Sequence, residues 1–390
     1  MAKKTIRDLD ISGKRVLIRI DFNVPLCEDG SIANDRRIRA ALPTIRHCLE
    51  SNASLVVMSH LGRPAGERDD RLELGRVAYR LQELLSEAPV EVAGSDVQRK
   101  ADALKPGEVL LLENLRFDPG EKSGDEQFAR RLRELGEVYV NDAFATCHRK
   151  HASMYAVPKL FPEGHRVIGL LVEKELAALD SLLEAPEQPM VAILGGVKVA
   201  DKIGAIDTLL DRAQKLLIGG AMAFTFMTAR GVQVGASKVV EDRLDLTRRL
   251  LDRGGDKLIL PQDHVVARKP EATAESKVVD ENIPSGWCGL DIGPKTIERY
   301  TAAIRGAGTV VWNGPLGKFE DEPFRNGTEA VIRALAESDA VTVVGGGESG
   351  EAIEQLDLMD QIDHVSTGGG AFLEYLEKRS LPALLVIDER

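Results

Sequence analysis

The sequence is poor in aromatic residues and cysteine, and it lacks any long apolar run. Only 4% of its 390 residues are aromatic, and its cysteines, Cys27, Cys48, Cys147 and Cys288, form no C-x-x-C pair. Thiols without such spacing argue against a zinc site and suit a reducing compartment, so we expect a cytoplasmic protein. Because no 18 consecutive residues are apolar and the amino-terminal stretch has no apolar core, we expect neither a membrane span nor a signal peptide.

Excess positive charge is also absent. The formal net charge is −11, which argues against nucleic acid or an anionic membrane as a partner, since both favour a cationic surface. No Walker A sequence occurs, which argues against P-loop chemistry. What the chain does have is an ordinary globular composition, 43% hydrophobic and 29% charged, over a length that exceeds one ordinary core. We therefore expect two domains.

Short apolar runs alternate with amphipathic helical patterns along most of the chain. The runs include "RVLIRIDF", "ASLVVMSH", "GEVLLLEN", "GEVYVNDAF", "PMVAILGG", "KLLIGGAM", "KLILPQDH", "GTVVWNGP" and "AVTVVGGG". This alternation predicts an α/β protein with parallel sheets covered by helices on both sides. The domain boundary is expected within residues 167–189, where a strand pattern leads into a helix and a proline-containing turn. In open sheets of this kind, ligands bind beyond the carboxyl ends of the strands.

The strand ends of the first half carry polar and charged side chains. In "VLIRIDFNVPL", Arg19, Asp21 and Asn23 alternate with other residues and share one face of a predicted strand. Unpaired buried polar groups are costly, so this face either binds a ligand or caps a neighbouring loop. Further cations and histidines follow later strands or open a helix, namely Arg37, His60, Arg63, Arg116, His148, Arg149 and His151. Side chains of this kind suit a compact, highly charged anion.

The strand ends of the second half carry glycine instead. They are Gly195–Gly196, Gly219–Gly220, Gly314, Gly345–Gly347 and Gly368–Gly370. Glycines at strand-to-helix turns let backbone N–H groups bind phosphates. In "LGGVKVADKIGAI", Lys198 and Lys202 are predicted to share a face in the first turns of a helix, either as a phosphate site or as a solvated pair. Two halves with two different anion sites suggest a two-substrate phosphoryl transferase.

Two other functions fit parts of the sequence. Gly345, Gly347 and Gly350 match G-x-G-x-x-G, the fingerprint of nicotinamide-dependent dehydrogenases. The next predicted strand ends in Ser366 and Thr367 rather than in the acid that would hold the ribose, which argues against a dehydrogenase. A binding protein without catalysis is the other alternative, and a turnover assay would distinguish it.

Many motifs in fixed order resemble those of the phosphoglycerate kinase family over essentially the whole chain. They are "KRVLIRIDFNVPL", "RIRAALPTI", "SHLGRP", "LLLENLRF", "NDAF-T-HR-H", "ILGG-KVADKI", "LIGG-MAFTF", "GLDIGP", "VVWNGPLG-FE", "VVGGG" and "HVSTGGGA-LE". The resemblance implies two Rossmann-like domains separated by a hinged cleft. Residues 1–170, joined by a returning segment 376–390, would bind 3-phosphoglycerate, and residues 171–375 would bind the nucleotide.

The resemblance also implies an activity: reversible phosphoryl transfer between 1,3-bisphosphoglycerate and ADP, giving 3-phosphoglycerate and ATP, with Mg²⁺ in a monomer. The implied phosphoglycerate-binding residues are Asp21, Asn23, Arg37, His60, Arg63, Arg116 and Arg149. The implied nucleotide-binding residues are Lys198, Lys202, Gly219, Gly220, Leu290, Asn313, Glu320, Gly345, Gly346, Gly347, Glu348 and Ser349. Because the acceptor is a carboxylate, no general base is needed, and the catalytic task of Arg37, Lys198 and Lys202 is to stabilise charge.

The sequence departs from the family pattern at the expected metal ligand. The family usually has aspartate after the three glycines, whereas this chain has Glu348. Glutamate is one methylene longer, so we expect Glu348 to reach Mg²⁺ through a water molecule. The segment "ATCHRKH" also differs from the usual pattern, yet it retains Arg149. These departures remove none of the cations assigned to catalysis, so we expect an active enzyme.

Overall fold

The computed structural model describes residues 2–390, apart from the side chain of Asp201, and it divides into two compact units. The first unit comprises the chain up to Ala177 together with Ser380–Arg390, and the second unit comprises Ala178–Arg379. The boundaries predicted after residues 170 and 375 lie seven and four residues from these divisions.

The first unit contains a six-stranded parallel sheet in the order β3-β4-β2-β1-β5-β6. Its elements are β1 (Arg15–Ile20), α1 (Arg36–Glu50), β2 (Ser54–Met58), α2 (Gly75–Leu84), β3 (Val90–Val92), α3 (Val97–Ala103), β4 (Val109–Leu111), α4 (Pro119–Ser123), α5 (Glu126–Arg133), β5 (Val138–Asp142), α6 (Val157–Lys159), β6 (Arg166–Ile168) and the start of α7 (Leu170–Glu184). The strands β2, β4 and β5 are buried throughout, as expected for a parallel sheet covered on both faces.

Helix α1 shows how the apolar pattern places a helix on this sheet. Its buried side chains include Ile38, Leu42 and Ile45, which recur at helical spacing, and they join the core formed by β1 and β2. The helix continues through Pro43. The opposite face of α1 is polar, so one apolar stripe fixes the orientation of the helix and of Arg37 in its first turn.

The second unit contains a second six-stranded parallel sheet, in the order β15-β14-β13-β7-β8-β9. Its elements after α7 are β7 (Met190–Leu194), α8 (Ile203–Arg212), β8 (Lys215–Ile218), α9 (Met222–Ala229), α10 (Leu244–Gly254), β9 (Leu258–Ile259), β10 (Asp263–Ala267), β11 (Ser276–Asp280), β12 (Cys288–Ile292), α11 (Pro294–Arg305), β13 (Thr309–Asn313), α12 (Asn326–Ala336), β14 (Val341–Gly345), α13 (Gly347–Gln355), β15 (His364–Val365) and α14 (Gly369–Lys378). The predicted α/β class with two parallel sheets is confirmed.

The second unit also contains a three-stranded antiparallel sheet, β11-β10-β12, that the sequence pattern did not predict. The run "KLILPQDH" predicts one strand, but the structure divides it between two. Strand β9 ends at Ile259, and the antiparallel strand β10 begins at Asp263. Strand β11 lies at the edge of this sheet and is mostly exposed, with Val278 54% exposed. An exposed edge strand has no continuous apolar run, which explains why the pattern was missed.

The chain terminus belongs to the first unit. Asp388 accepts hydrogen bonds from the main-chain N–H groups of Gly164 and Arg166 and pairs with the Arg166 guanidinium at 2.6 Å. The main-chain N–H of Arg390 donates to the carbonyl of Ala2. Within residues 2–390, no helix is both long enough and apolar enough to span a membrane.

Candidate functional site

In the first unit, the polar residues predicted from the strand ends lie at one edge of the sheet. Asp21 and Asn23 follow β1, His60 follows β2, and Arg116 follows β4. Because these neighbouring strands are parallel, their carboxyl ends share an edge. The structure thus brings these side chains together around the end of β1.

Asp21 lies beside two of the predicted residues. It forms an ion pair with Arg37 from α1, and one of its oxygens lies 3.9 Å from His60 Nδ1. Burial opposes ionisation of Asp21, but the nearby charges of Arg37 and Arg19 outweigh it and hold the pKa well below its usual value. Asp21 is therefore a buried carboxylate held ionised by its partners.

Asn23 and Arg116 are both attached to the turn after β2. The Asn23 side-chain oxygen accepts from Gly62 N–H at 2.7 Å, and Arg116 donates to the Gly62 carbonyl at the same distance. Asn114 supports this turn by donating to the carbonyls of Leu61 and Leu72 at 2.7 and 2.9 Å. Asn114 could not be recognised from the sequence, because an isolated asparagine after a strand gives no specific signal.

Two further predicted cations have exposed side chains. Arg63 follows Gly62 in the same turn, and Arg149 lies in the loop after β5, where its main-chain N–H donates to Thr146. Neither side chain is buried, so both can meet a ligand from solvent. The candidate anion site of this unit thus combines buried, hydrogen-bonded side chains with exposed arginines.

Two histidines of this region, His60 and His151, have lowered pKa values. Burial lowers the pKa of His60 well below its usual value, and the charges of Arg19, Arg116 and Arg37 add to that effect against Asp21. Burial is also the main reason why the pKa of His151 is lowered to about 4. The charges of Arg116, Arg19 and Arg149 lower it further. At neutral pH these two histidines therefore add no positive charge to the arginines around them.

Arg19 is fully buried and holds the polar face of β1 together. Its Nε donates to Ser153 Oγ at 2.9 Å, and its Nη2 lies 2.9 Å from His60 Nδ1. The alternation of Arg19, Asp21 and Asn23 signalled a polar face, but no pattern pointed to Ser153 as a partner. Ser153 lies in a π-helical turn, Ala152–Ala156, far along the chain.

In the second unit, the glycines predicted to bind phosphate form a set of backbone contacts at the strand ends. Gly195 N–H donates to the Asn313 carbonyl at 3.0 Å, and Gly196 N–H donates to the Pro315 carbonyl at 2.7 Å. Gly220 N–H donates to the Leu316 carbonyl at 3.0 Å. A Cβ at Gly220, which has φ +62°, would lie 2.4 Å from the Gly196 nitrogen, so this approach requires glycine.

Lys202 is hydrogen-bonded to a residue at these strand ends, whereas Lys198 does not lie in the predicted helix. Lys202 is 8% exposed and donates to the side-chain and main-chain oxygens of Asn313. The prediction that both lysines share the first turns of a helix is wrong, because α8 begins only at Ile203, after a 3₁₀ turn, Ala200–Lys202. Lys198 is an exposed residue of the preceding loop.

The triple glycine leads directly into α13. Gly346 has φ +112°, and the exposed residues Gly347 and Glu348 form the first turn of the helix. Ser349, expected at the phosphates, is instead fully buried, and its hydroxyl accepts from Gly314 N–H at 3.0 Å. Ser349 therefore joins two glycine turns rather than presenting its hydroxyl to solvent.

The remaining predicted nucleotide residues lie near the loop after β13. Lys318 N–H donates to the Leu290 carbonyl at 2.8 Å, which attaches this loop to β12, and the exposed Glu320 follows two residues later. A Cβ at Gly219 would lie 2.4 Å from the Leu316 side chain. Leu290, Gly219 and Glu320 thus all adjoin the segment that follows Gly314.

Glu348 is the residue that the sequence predicts as a metal ligand. Among the side chains that the structure describes, no group of three or more His, Cys, Asp or Glu could hold a metal ion. Glu348 is an exposed carboxylate beside the main-chain N–H groups at the start of α13. Mg²⁺ in phosphoryl-transfer sites is commonly held by one or two carboxylates together with phosphates, so Glu348 fits such an ion.

Comparison with known proteins gives a consistent result. The model of the family described as "Phosphoglycerate kinase" matches residues 6–379. Curated proteins named phosphoglycerate kinase from Anaeromyxobacter dehalogenans and Roseiflexus castenholzii are 51% and 52% identical over 398 aligned residues, which cover 100% of both chains in each case.

Solved structures show the same likeness. Phosphoglycerate kinase from Coxiella burnetii matches with a TM-score of 0.84 at 39% identity, and the enzyme from Pyrococcus horikoshii matches with a TM-score of 0.88 at 33% identity. Each alignment covers 98% of both chains. The similarity therefore extends over both units and over every strand end described above.

Proposed function

The chain belongs to the phosphoglycerate kinase family of glycolytic phosphotransferases, and we propose that it transfers a phosphoryl group reversibly between 1,3-bisphosphoglycerate and ADP, giving 3-phosphoglycerate and ATP. The observation that carries the proposal is the contrast between the two sets of strand ends. Those of the first unit present side-chain cations, and those of the second are glycine turns, one of which leads into the start of α13 at Gly347. Two anions of different shape would each find a matching surface.

The phosphoglycerate is assigned to the first unit. Arg63, Arg116 and Arg149 provide positive charge for its phosphate, and guanidinium groups suit phosphate because they donate in a planar fork. Asp21 and Asn23 bind the glycerate moiety, with Asn23 held by Gly62 N–H. His60 lies beside Asp21 and contributes a neutral side chain to the same site.

The nucleotide is assigned to the second unit. Lys198 and Lys202 provide charge for its phosphates, and the turn Gly345–Gly347 at the start of α13 provides main-chain N–H groups. Gly219, Gly220 and Leu290 would line the adenine pocket, and Glu320 would bind the ribose. Asn313 supports Lys202 and the glycine turn at once.

Mg²⁺ fits this unit through Glu348. A bound Mg²⁺ would neutralise charge on the phosphate oxygens. Because Mg²⁺ gives up its waters reluctantly, the proposal gives Glu348 a water-mediated contact. The exposed position of Glu348 leaves room for such a water.

The transfer itself requires alignment and charge stabilisation more than proton transfer. The acceptor carboxylate is ionised at neutral pH, so the proposal contains no general base. The transfer is in line, and Arg37, Lys198 and Lys202 stabilise the charge of the transferring phosphoryl group. Since the substrates are assigned to different units, the proposal includes closure about a hinge, in a cytoplasmic monomer with no nucleic-acid or membrane partner.

A coupled assay with 3-phosphoglycerate and MgATP tests the activity. We expect ADP release that requires both substrates and Mg²⁺. Crystals soaked with 3-phosphoglycerate should show it in contact with Asp21, Asn23 and the arginines. Absence of turnover would overturn the proposed reaction, and 3-phosphoglycerate bound against Lys202 with the first unit empty would overturn the assignment of substrates.

A further inference from the structure

Glu121 is a fully buried carboxylate that the proposed reaction does not use. It lies in α4, and its two oxygens accept from the hydroxyl and the main-chain N–H of Ser153, at 2.7 and 3.0 Å. A buried carboxylate is costly unless it is well paired. The arrangement around Ser153 shows which buried cation it serves.

The Ser153 hydroxyl connects Glu121 with Arg19. Because the hydroxyl donates to Glu121, its oxygen is free to accept from Arg19 Nε, which lies 2.9 Å away. The order of donors is therefore fixed, from the guanidinium to the hydroxyl and from the hydroxyl to the carboxylate. The main chain of Ser153 is held as well, since its carbonyl accepts from Tyr139 Oη at 2.8 Å.

The other end of Arg19 determines the tautomer of His60. A guanidinium has donors only, so the 2.9 Å contact between Arg19 Nη2 and His60 Nδ1 requires Nδ1 to accept. The proton of the neutral imidazole is then on Nε2. Asp21 lies 3.9 Å from Nδ1, too far for a hydrogen bond that would favour the other tautomer.

Glu121 also faces a second histidine of the same region. Its Oε1 lies 3.8 Å from His151 Nδ1, a buried nitrogen with no hydrogen-bond partner among the described residues. Glu121 thus lies close to His151 and is connected to His60 through Ser153 and Arg19. Its charge opposes the repulsion that several buried or half-buried arginines would otherwise exert on one another.

We propose that Glu121 is a positioning residue for phosphoglycerate binding: through Ser153 it holds Arg19 in the orientation that makes His60 a neutral donor from Nε2. The inference rests on the proposed function, because it takes the polar face of β1 as the phosphoglycerate site. It adds that the site depends on a carboxylate that never touches the substrate.

Glu121→Gln tests the role of the charge with little change in shape. The amide has one uncharged oxygen and one NH₂ group in place of two charged oxygens, so the two donors of Ser153 would lose one acceptor and the chain from Arg19 would lose its charged end. We expect the Kd for 3-phosphoglycerate to rise about ten-fold or more, as for loss of a hydrogen bond to a charged group. The Kd for MgATP should stay unchanged.

Ser153→Ala provides a second, independent break in the same chain. It removes the hydroxyl but leaves the Glu121 carboxylate in place, and it should weaken 3-phosphoglycerate binding in the same direction. Asp263→Asn is the matched control, since this buried carboxylate also accepts from a hydroxyl and a main-chain N–H of one residue, Thr296, but lies in the second unit. The control should bind both ligands as the wild type does.

The tautomer of His60 can be measured in the wild-type protein. With ¹⁵N-labelled histidine, the His60 signals, identified by their loss in His60→Gln, should report a protonated Nε2 and an accepting Nδ1 at pH 7. In Glu121→Gln and Ser153→Ala the populations of the two tautomers should shift. A structural role alone would lower stability without moving these signals.

Two results would overturn the inference. One is a His60 that is charged or protonated on Nδ1 in the wild type. The other is unchanged 3-phosphoglycerate binding in both folded variants. Failure of the proposed function would look different, because the wild type itself would then neither bind 3-phosphoglycerate nor turn over, whatever the tautomer.

Discussion

The ammonium group of Lys202 lies 3.3 Å from the main-chain oxygen of Asn313 and also donates to its side-chain oxygen. Asn313 Nδ2 in turn donates to the Gly345 carbonyl at 2.8 Å. One amide therefore holds both the lysine and the glycine turn of the neighbouring strand end. Because an amide is uncharged, it positions the lysine without neutralising it.

Asn313→Asp should impair the use of MgATP. The new carboxylate would pair with Lys202 and compete with a phosphate for its charge. Hydrogen bonds to charged groups contribute about 1.5–3 kcal/mol, so we expect the KM for MgATP to rise about ten-fold or more, with the KM for 3-phosphoglycerate unchanged. Asn326→Asp adds the same charge at an exposed position of the same unit and serves as the control. Wild-type kinetics in Asn313→Asp would contradict a role for Lys202 at the phosphates.

Arg37→Ala should lower turnover more than it weakens substrate binding. Arg37 is assigned to the transferring group, whose charge distribution changes in the transition state, and loss of such a donor costs about 10²–10³ in kcat. Arg39→Ala is the control, because Arg39 lies on the same helix but pairs with Asp35 at the surface. Steady-state kinetics of both variants would separate kcat from KM. An increase in KM with kcat intact would mean that Arg37 only binds substrate.

The sequence located the strand ends because parallel strands buried on both faces appear as apolar runs. Asp21, His60 and Arg116 come after such runs, so their location at the carboxyl ends of strands was predictable from the pattern alone. The position of Lys198 was not predictable in this way, because a four-residue spacing of lysines is typical of a helix but also occurs in loops. Gly196 has φ +87°, and the backbone does not enter α8 until Ile203.

The supporting residues of the first unit could not be found in the same way. Glu121 lies in a short helix among polar neighbours, where an acidic residue is expected to be solvated. Its burial arises from the packing of α4 against the π-helical turn that contains Ser153, a contact over 32 residues of chain. Long-range contacts between single polar residues leave no periodic signal in a sequence.

His264 should make the protein less stable in mild acid. Its imidazole is buried on β10, and burial lowers its pKa to about 4, although Asp263 opposes this. An unfolded histidine has a pKa of about 6.5, so the unfolded chain binds the proton more readily between these values. Stability contributed by the neutral form is present above about pH 6.5 and is lost as the pH falls towards about 4, by about 3 kcal/mol.

His264→Phe tests this contribution. Phenylalanine keeps an aromatic ring beside Phe224, whose ring centre lies 5.5 Å from that of His264, but it cannot take up a proton. Urea unfolding at pH 7.5 and pH 4.5 should show a smaller loss of stability in the variant than in the wild type. Burial also lowers the pKa of His60 and of the half-buried His151, so some acid sensitivity should persist. An equal loss in both proteins would show that His264 does not titrate in this range.

Glu348 should be required for the use of MgATP, and its length should matter little. Because the contact with Mg²⁺ is proposed to pass through a water, Glu348→Asp should retain most activity, whereas Glu348→Ala should need more Mg²⁺ and show a higher KM for MgATP. Glu351→Ala is the control, since Glu351 is exposed on the next turn of α13. The competing explanation is that Glu348 only stabilises the start of this helix. In that case Glu348→Ala would lower stability slightly and keep wild-type kinetics across a magnesium titration, a result that would exclude Glu348 as a metal ligand.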